Sequence, residues 1–148
     1  MKYVLFPYDY RPYEEHLPEF VDRLPEGARR FATDPDHYDF SAARCVKDLL
    51  VDRINYFDDY QTVDVEIGFR FEPRPGPYPP ALVIRYTDAR TFSIDVGERQ
   101  PAGVRLGDLA LDEILPHEHG ISHELAFHAG TILVTAKDLS ATWDDSVF

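Results

Sequence analysis

The clearest pattern of hydrophobic and polar positions lies between Thr62 and Phe71, where the two kinds alternate at every step. The apolar positions are β-branched or aromatic, and the positions between them are polar, charged or glycine. Alternation with a period of two places each set of side chains on its own face of an extended chain. The pattern therefore predicts a β-strand with one face on the core and the other in water.

Shorter alternating runs predict further strands, and the turn residues between them predict how the strands are connected. Two runs on either side of Thr87-Asp-Ala-Arg90 form a hairpin in this interpretation, and two runs around Ala129-Gly130 form another. A short first strand is expected to end at Pro7, because proline removes a backbone donor. In chain order these ranges are 2–6, 81–86, 91–96, 122–128 and 131–136.

Apolar residues at three- and four-residue spacing predict helices elsewhere. The longest stripe includes Val46, Leu49 and Phe57, and it predicts a main amphipathic helix over about residues 41–57 with Ser41 as its N-cap. Shorter helices are expected over 17–24, 26–32 and 108–115. The proline-rich run 72–80 predicts an extended connecting loop.

The order of these elements predicts an α+β fold, because runs of helices and runs of strands are segregated along the chain. At 148 residues the chain has the length of one domain, so residues 1–148 are expected to form a single globular domain. The expected architecture is an antiparallel β-meander sheet of about five to six strands. The helix at about 41–57 and the short N-terminal helices are expected to pack on one face of that sheet.

Charge narrows the classes of partner. The chain has 27 Asp plus Glu against 15 Lys plus Arg, a formal net charge of -12. Such a surface repels phosphate backbones, which argues against nucleic acid, and it attracts basic partners over a long range. No apolar run reaches the roughly 20 residues that a membrane-spanning helix needs. The expected location is the cytoplasm, and the single cysteine, Cys45, is expected to be a small core residue.

The densest group of chemically reactive side chains is the segment from His117 to His128, which holds four histidines in twelve residues. Imidazoles with neighbouring carboxylates can ligate zinc. His117, His119 and His123 are therefore candidate metal ligands. The alternative is a polar loop that leads into a strand without any cofactor, because the spacing matches no metal-binding signature.

Tyrosines interleaved with acids form a second candidate feature in the first 60 residues. Tyrosine gives a large contact area at a small entropic cost, and neighbouring carboxylates can meet Lys and Arg of a partner. The alternative is that these tyrosines pack beneath connecting loops. The predicted partner-binding residues are Tyr8, Asp9, Tyr10, Tyr13, Glu14, Glu15, Tyr56, Asp58, Asp59 and Tyr60.

These features favour a non-catalytic function. The sequence has no phosphate-binding glycine loop and no nucleophile elbow, so no residue is assigned as catalytic. The expected function is that of a small acidic binding protein, an inhibitor or immunity-type protein that masks a basic partner such as a toxin or nuclease. The alternatives are a metal-dependent enzyme or metal-binding protein that uses the segment from His117 to His128, and a small-ligand module with a pocket between helix and sheet.

Overall fold

The computed structural model of the chain describes residues 1–71, 80–97 and 106–144. Two short helices and a 3-10 turn come first, and β-strands follow. The helical elements are α1 Arg11–Phe20, the 3-10 turn Val21–Arg23 and α2 Glu26–Ala32. The strands are β1 Leu50–Asp58, β2 Val63–Arg70, β3 Leu82–Asp95, β4 Leu109–His117, β5 Gly120–Phe127 and β6 Thr131–Trp143.

The six strands form one antiparallel sheet in the order β1-β2-β3-β6-β5-β4. Each half of the sheet is a three-strand meander, and the two halves join along β3 and β6. That central pairing runs from Leu82 opposite Trp143 to Asp95 opposite Thr131. The predicted α+β class with an antiparallel meander sheet is confirmed.

The N-terminal 49 residues cover one face of the sheet and form the core with it. Helix α2 packs on β6, and α1 contacts β4. The predicted central strand lies in this core as β2, where Ile67 and Phe69 are completely buried. The same interface buries side chains from both layers, among them Tyr13, Phe20, Leu24, Phe31, Leu49, Ile84, Leu125 and Val134.

The two outer strands of the sheet, β1 and β4, differ in how they are protected. On β4 the carbonyl oxygens of Ile114 and Asp112 accept hydrogen bonds from the hydroxyls of Tyr13 (2.7 Å) and Tyr38 (2.5 Å). These hydroxyls satisfy backbone groups that an edge strand would otherwise expose. The N-terminal layer therefore covers the β4 edge.

The predicted first strand, residues 2–6, is not a strand. The backbone N–H groups of Lys2, Tyr3 and Val4 donate to the buried carboxylate of Glu113 at 2.7–2.8 Å. These N–H groups therefore bind a side chain and do not form a ladder of hydrogen bonds to a neighbouring strand. The only β-type pairing in this segment is an isolated bridge between Leu5 and Asp9.

The predicted main helix over 41–57 is also wrong. Residues 41–49 form turns, and β1 begins at Leu50 and pairs with β2 along its whole length. The segment is rich in β-branched and aromatic residues, and these pack well across a hairpin. Pairing with the neighbouring strand therefore outweighs the helical spacing that the apolar residues also have.

Two further expectations fail because strands continue through predicted turns or helices. The expected hairpin at 87–90 is instead a bulged part of one long strand, β3, and Asp88 there has a positive φ of 47°. The expected helix at 108–115 is β4, which is buried on both faces up to Ile114. Burial on both faces removes the alternation of apolar and polar positions that marks a half-exposed strand, and β4 also buries the acids Asp112 and Glu113, so periodicity does not reveal it.

Other expectations are confirmed. Helix α2 has the predicted bounds, and the hairpin around Ala129-Gly130 is the β5–β6 hairpin. The N-terminal helix begins earlier than predicted, at Arg11. The proline-rich segment lies outside the described residues except for Pro80. In the described part of the chain, no helix combines the length and the apolar character needed to cross a membrane.

The docking of α2 on β6 depends on Gly27. A Cβ atom at this position would lie 1.9 Å from the carbonyl oxygen of Leu139, while the carboxylate of Asp138 accepts hydrogen bonds from the N–H groups of Gly27 and Ala28. Gly27→Ala is therefore expected to lower the free energy of unfolding by about 1–3 kcal/mol, the usual cost of overpacking. Urea denaturation measures this change.

The matched control for this experiment is Gly68→Ala. Its added Cβ would meet mainly the flexible side chain of Arg53, at 3.1 Å, so a smaller loss is expected. Equal stability of the Gly27→Ala variant and the unmodified protein would contradict the close approach of α2 and β6.

Candidate functional site

The most unusual chemical feature of the core is a chain of four buried polar side chains. The carboxylate of Asp112 on β4 lies 2.7 Å from Nε2 of His37 and 2.6 Å from Nε2 of His123. Nδ1 of His123 lies 2.7 Å from the hydroxyl of Tyr86. At most 2% of any of these four residues is exposed. The network thus connects the N-terminal layer to β3, β4 and β5.

The hydrogen-bond partners assign the protons in this network. Burial raises the pKa of Tyr86 well above its ordinary value of 10.0, so its hydroxyl keeps its proton and donates to Nδ1 of His123. His123 then donates from Nε2 to Asp112 as a neutral imidazole. Burial alone would raise the pKa of Asp112, but the charge of His37 and hydrogen bonds from both imidazoles hold it well below 3.8. Asp112 is therefore a buried carboxylate that accepts two N–H bonds.

This arrangement resembles a catalytic relay in its residue types, but solvent does not reach it. Asp112 and His123 are 0% exposed, and His37 is closed off by the ring of Phe31 at a centroid distance of 4.3 Å. Nδ1 of His37 is buried without a partner among the described residues, whereas Nε2 of His37, both ring nitrogens of His123, both carboxylate oxygens of Asp112 and the Tyr86 hydroxyl are hydrogen-bonded. Such buried hydrogen bonds fix the packing of the layers around them. We therefore assign the network a structural role.

The three candidate zinc ligands are not brought together. His123 is buried with both ring nitrogens engaged, whereas His117 and His119 are exposed around the β4–β5 turn. The rings of His117 and His119 lie 5.5 Å apart, and the backbone N–H of His119 donates to Nδ1 of His117. Within residues 1–71, 80–97 and 106–144, no three His, Cys, Asp or Glu side chains are grouped so as to hold a metal ion.

The predicted partner-binding residues separate into two groups. The first lies near the N-terminus, where the ring of Tyr8 is 41% exposed, Tyr10 stacks on Tyr38, and Glu14 and Glu15 are exposed on α1. In the same group, Asp9 pairs with Arg11 at 2.9 Å. Tyr13 does not belong to any surface, because it is 0% exposed and forms part of the core.

The second group is the turn of the β1–β2 hairpin and the end of β1 that leads into it. Tyr60 is fully exposed and has a φ of 77°, and Tyr56 on β1 is 67% exposed. Asp58 accepts a hydrogen bond from the N–H of Tyr60 at 2.9 Å. Asp59 accepts bonds from the N–H groups of Gln61 and Thr62 and from the hydroxyl of Thr62. We call Tyr56, Asp58, Asp59 and Tyr60 the hairpin surface.

The hairpin surface is negatively charged as well as aromatic. Backbone hydrogen bonds from Thr62 and Gln61 hold the pKa of Asp59 below its ordinary value of 3.8, so its carboxylate is ionised at neutral pH. Among the described residues neither Asp58 nor Asp59 pairs with a cation. Beside the turn an open groove runs toward the bulge of β3, where Asp88 and Arg90 lie 3.6 Å apart.

The two tyrosine groups cannot form one continuous site. The ring of Tyr8 lies beneath the ammonium group of Lys47, just before β1, whereas the hairpin turn follows the end of β1. A nine-residue strand spans roughly 25–30 Å, which separates the two groups by about that distance. A partner of ordinary size contacts one group or spans a wide area to reach both.

Sequence reasoning did not identify His37, Asp112 or Tyr86 as connected, and it did not single out Ile54 on β1. Asp112 does leave a signal, because Asp112 and Glu113 are two adjacent acids within the otherwise apolar run from Leu109 to Leu115. Its partners come from residues 75 and 11 positions away in the chain, and no local pattern reveals them.

Comparisons with known proteins add no relative to this description. No protein-family model, no curated protein and no solved structure matches the chain. The function is therefore argued from the surface itself.

Proposed function

We propose that the protein binds and masks a basic protein partner, such as a toxin or nuclease, through the hairpin surface. The proposal takes the protein to act in the cytoplasm, which is an expectation from the sequence. The observation that carries it is the conformation and exposure of Tyr60.

Tyr60 has an unfavourable backbone conformation and no compensating packing. A bulky residue with a positive φ costs free energy, on the order of 1–3 kcal/mol, and asparagine or glycine would adopt the same conformation more readily. The side chain is 103% exposed, so its ring gives nothing to the core in return. A strained and fully exposed aromatic residue is typical of a contact made with another molecule.

The surroundings of Tyr60 favour a basic protein as that molecule. Asp58 and Asp59 directly precede Tyr60 in the chain, and their carboxylates accept hydrogen bonds from the N–H groups of Tyr60 and Thr62, which orders the turn. A rigid aromatic anchor loses little entropy on binding, and adjacent carboxylates attract Lys and Arg. The net charge of -12 strengthens this attraction at a distance and repels nucleic acid.

Affinity capture from the source cells tests the proposal. The unmodified protein is expected to retain a basic protein at low salt and to release it as salt rises. The double variant Asp58→Asn/Asp59→Asn keeps an acceptor oxygen at each position, which preserves the turn, but removes both charges. We expect it to lose most of that protein.

The matched control for capture is Glu14→Gln/Glu15→Gln, which removes two exposed charges from α1 and leaves the hairpin surface intact. It is expected to retain the partner. If the α1 variant lost the partner while the hairpin variant kept it, the binding surface would be at the N-terminus and the proposal would be wrong.

A further inference from the structure

We infer that the basic partner is held by strand addition to β1. In this inference an extended segment of the partner pairs with β1 from Ile54 to Asp58 and places an arginine or lysine against Asp58. The inference rests on the proposed function, because it names how the same partner is recognised.

Among the described residues, the fold covers one edge of its sheet and leaves part of the other edge open. The β4 edge is capped by the hydroxyls of Tyr13 and Tyr38 and covered by the N-terminal layer. Strand β1 pairs only with β2 among the described residues. Its beginning is closed, because Leu109 exchanges two backbone hydrogen bonds of 2.8 Å with Asp48 and Leu49. In the part of the chain that the structure describes, only the second half of the β1 edge is therefore open.

The register of the β1–β2 hairpin determines which backbone groups of β1 point outward. The N–H of Asp59 donates to the carbonyl of Thr62, so these residues form a hydrogen-bonded pair at the end of the hairpin. Hydrogen-bonded and non-hydrogen-bonded pairs alternate along an antiparallel ladder. Following the register back along β1, the N–H and C=O groups of Ile54, Tyr56 and Asp58 point away from β2. Among the described residues no other segment pairs with these groups, so they form a row of three sites for an added strand.

The side chains of the same three residues also suit a basic added strand. Ile54 and Tyr56 lie opposite Ile67 and Val65, so they extend the core face of the sheet beyond the N-terminal layer. They remain 40% and 67% exposed. The next residue in the row is Asp58, an exposed acid. A matching added strand would carry an apolar residue beside Ile54, an apolar residue beside Tyr56 and a basic residue beside Asp58, with one residue between each of these positions.

The opposite face of β1 does not offer a comparable site. The ring of Phe57 is covered by the guanidinium of Arg85, which lies 4.4 Å from the ring centroid and pairs with Asp64 at 3.1 Å. That face is occupied by interactions within the chain. The row of three outward residues therefore carries the specificity.

A second copy of the chain fits this edge less well than a basic segment. Antiparallel pairing of two β1 edges would bring the Asp58 and Asp59 of each copy to the same interface. Neither carboxylate has a cationic partner among the described residues, and two chains with a net charge of -12 repel each other. Charge complementarity selects a basic occupant.

The test is a peptide titration followed by NMR of the ¹⁵N-labelled protein. The probe is a nine-residue peptide in which valine alternates with threonine and which ends in two arginines. We expect the amide protons of Ile54, Tyr56 and Asp58 to shift and to exchange about tenfold more slowly with peptide present. The amides of Asn55 and Phe57 already pair with β2 and are expected to change little.

Two controls isolate strand addition from simple charge attraction. A peptide with proline in place of the central valine keeps both arginines but cannot pair along the edge, so it is expected to give no slowing of exchange. On the protein, Tyr56→Pro removes one outward N–H group and leaves the hydrogen bonds between β1 and β2 in place. It is expected to weaken peptide binding more than Tyr56→Ala does. Thermal unfolding of both variants confirms that they are folded.

Several outcomes would overturn the inference. One is equal protection by the proline peptide, and another is a response confined to residues 59–62. Protection of the same amides without peptide, rising with protein concentration, would assign the edge to a second copy. No response to peptide, together with partner capture that still depends on Asp58 and Asp59, would reject strand addition and leave the proposed function standing. Peptide protection without any captured partner would reject the proposed function alone.

Discussion

Replacing Asp112 by alanine is expected to lower the free energy of unfolding by about 2–6 kcal/mol, because it strands two buried donors at a cost of about 1–3 kcal/mol each. The Nε2–H groups of His37 and His123 both donate to this carboxylate, and no water reaches them to replace it. A domain of ordinary stability has only about 5–15 kcal/mol in total. Urea denaturation followed by the fluorescence of Trp143, the single tryptophan, measures the loss.

The pH dependence of stability gives a second readout of the same carboxylate. The pKa of Asp112 is lower in the folded chain than its ordinary value of 3.8. Its contribution is therefore fully present above about pH 4 and is lost as pH falls further toward the folded pKa. The difference between the unmodified protein and Asp112→Ala should accordingly narrow below pH 4.

The control for Asp112 is Glu118→Gln, which removes an exposed acid from the neighbouring β4–β5 turn. A change within about 0.5 kcal/mol is expected for it. If Asp112→Ala were as stable as Glu118→Gln, the buried network would not hold the N-terminal layer against the sheet.

Replacing Tyr60 by asparagine is expected to weaken binding of the captured basic partner by about 30- to 1000-fold, the loss of an aromatic anchor worth about 2–4 kcal/mol. The same change is expected to leave the free energy of unfolding unchanged or to raise it by up to about 1 kcal/mol. Asparagine adopts a positive φ more readily than tyrosine does, and the ring of Tyr60 packs on nothing. A substitution that weakens function while it preserves stability identifies a contact residue.

The control for Tyr60 is Tyr8→Asn. Tyr8 is a half-exposed tyrosine of the N-terminal group, about one strand length from the hairpin surface. It is expected to bind the partner as the unmodified protein does. Calorimetric titration of all three proteins gives the affinities, and thermal unfolding gives the stabilities.

How much of the fold the sequence predicts depends on how local the determining contacts are. The alternation from Thr62 to Phe71 is visible in the sequence because β2 places its apolar residues on the core face and its polar residues on the opposite face. Strand β4 is buried on both faces, so its apolar and polar residues do not alternate, and the sequence predicts a short helix over 108–115 in its place. Residues 41–57 have apolar spacing that suits a helix, and only pairing with β2 decides that β1 is a strand.

The sequence likewise predicts only part of the candidate site. Composition indicates that tyrosines and acids occur together, and in the structure Tyr56 and Tyr60 are exposed in the same hairpin as Asp58 and Asp59. Composition cannot separate them from Tyr13, whose hydroxyl caps a carbonyl of the distant β4 edge. The histidines are also close in sequence but separate in the structure. His117 and His119 are exposed at the β4–β5 turn, whereas His123 belongs to the buried network with Asp112.

The most direct test of the central claim is the affinity of the captured basic partner for the unmodified protein and for Tyr60→Asn, measured side by side at low and high salt. We expect tight, salt-sensitive binding by the unmodified protein and a loss of at least about 30-fold in the variant, with the variant no less stable than the unmodified protein. Equal affinities for the two proteins would show that the hairpin surface is not where the partner binds.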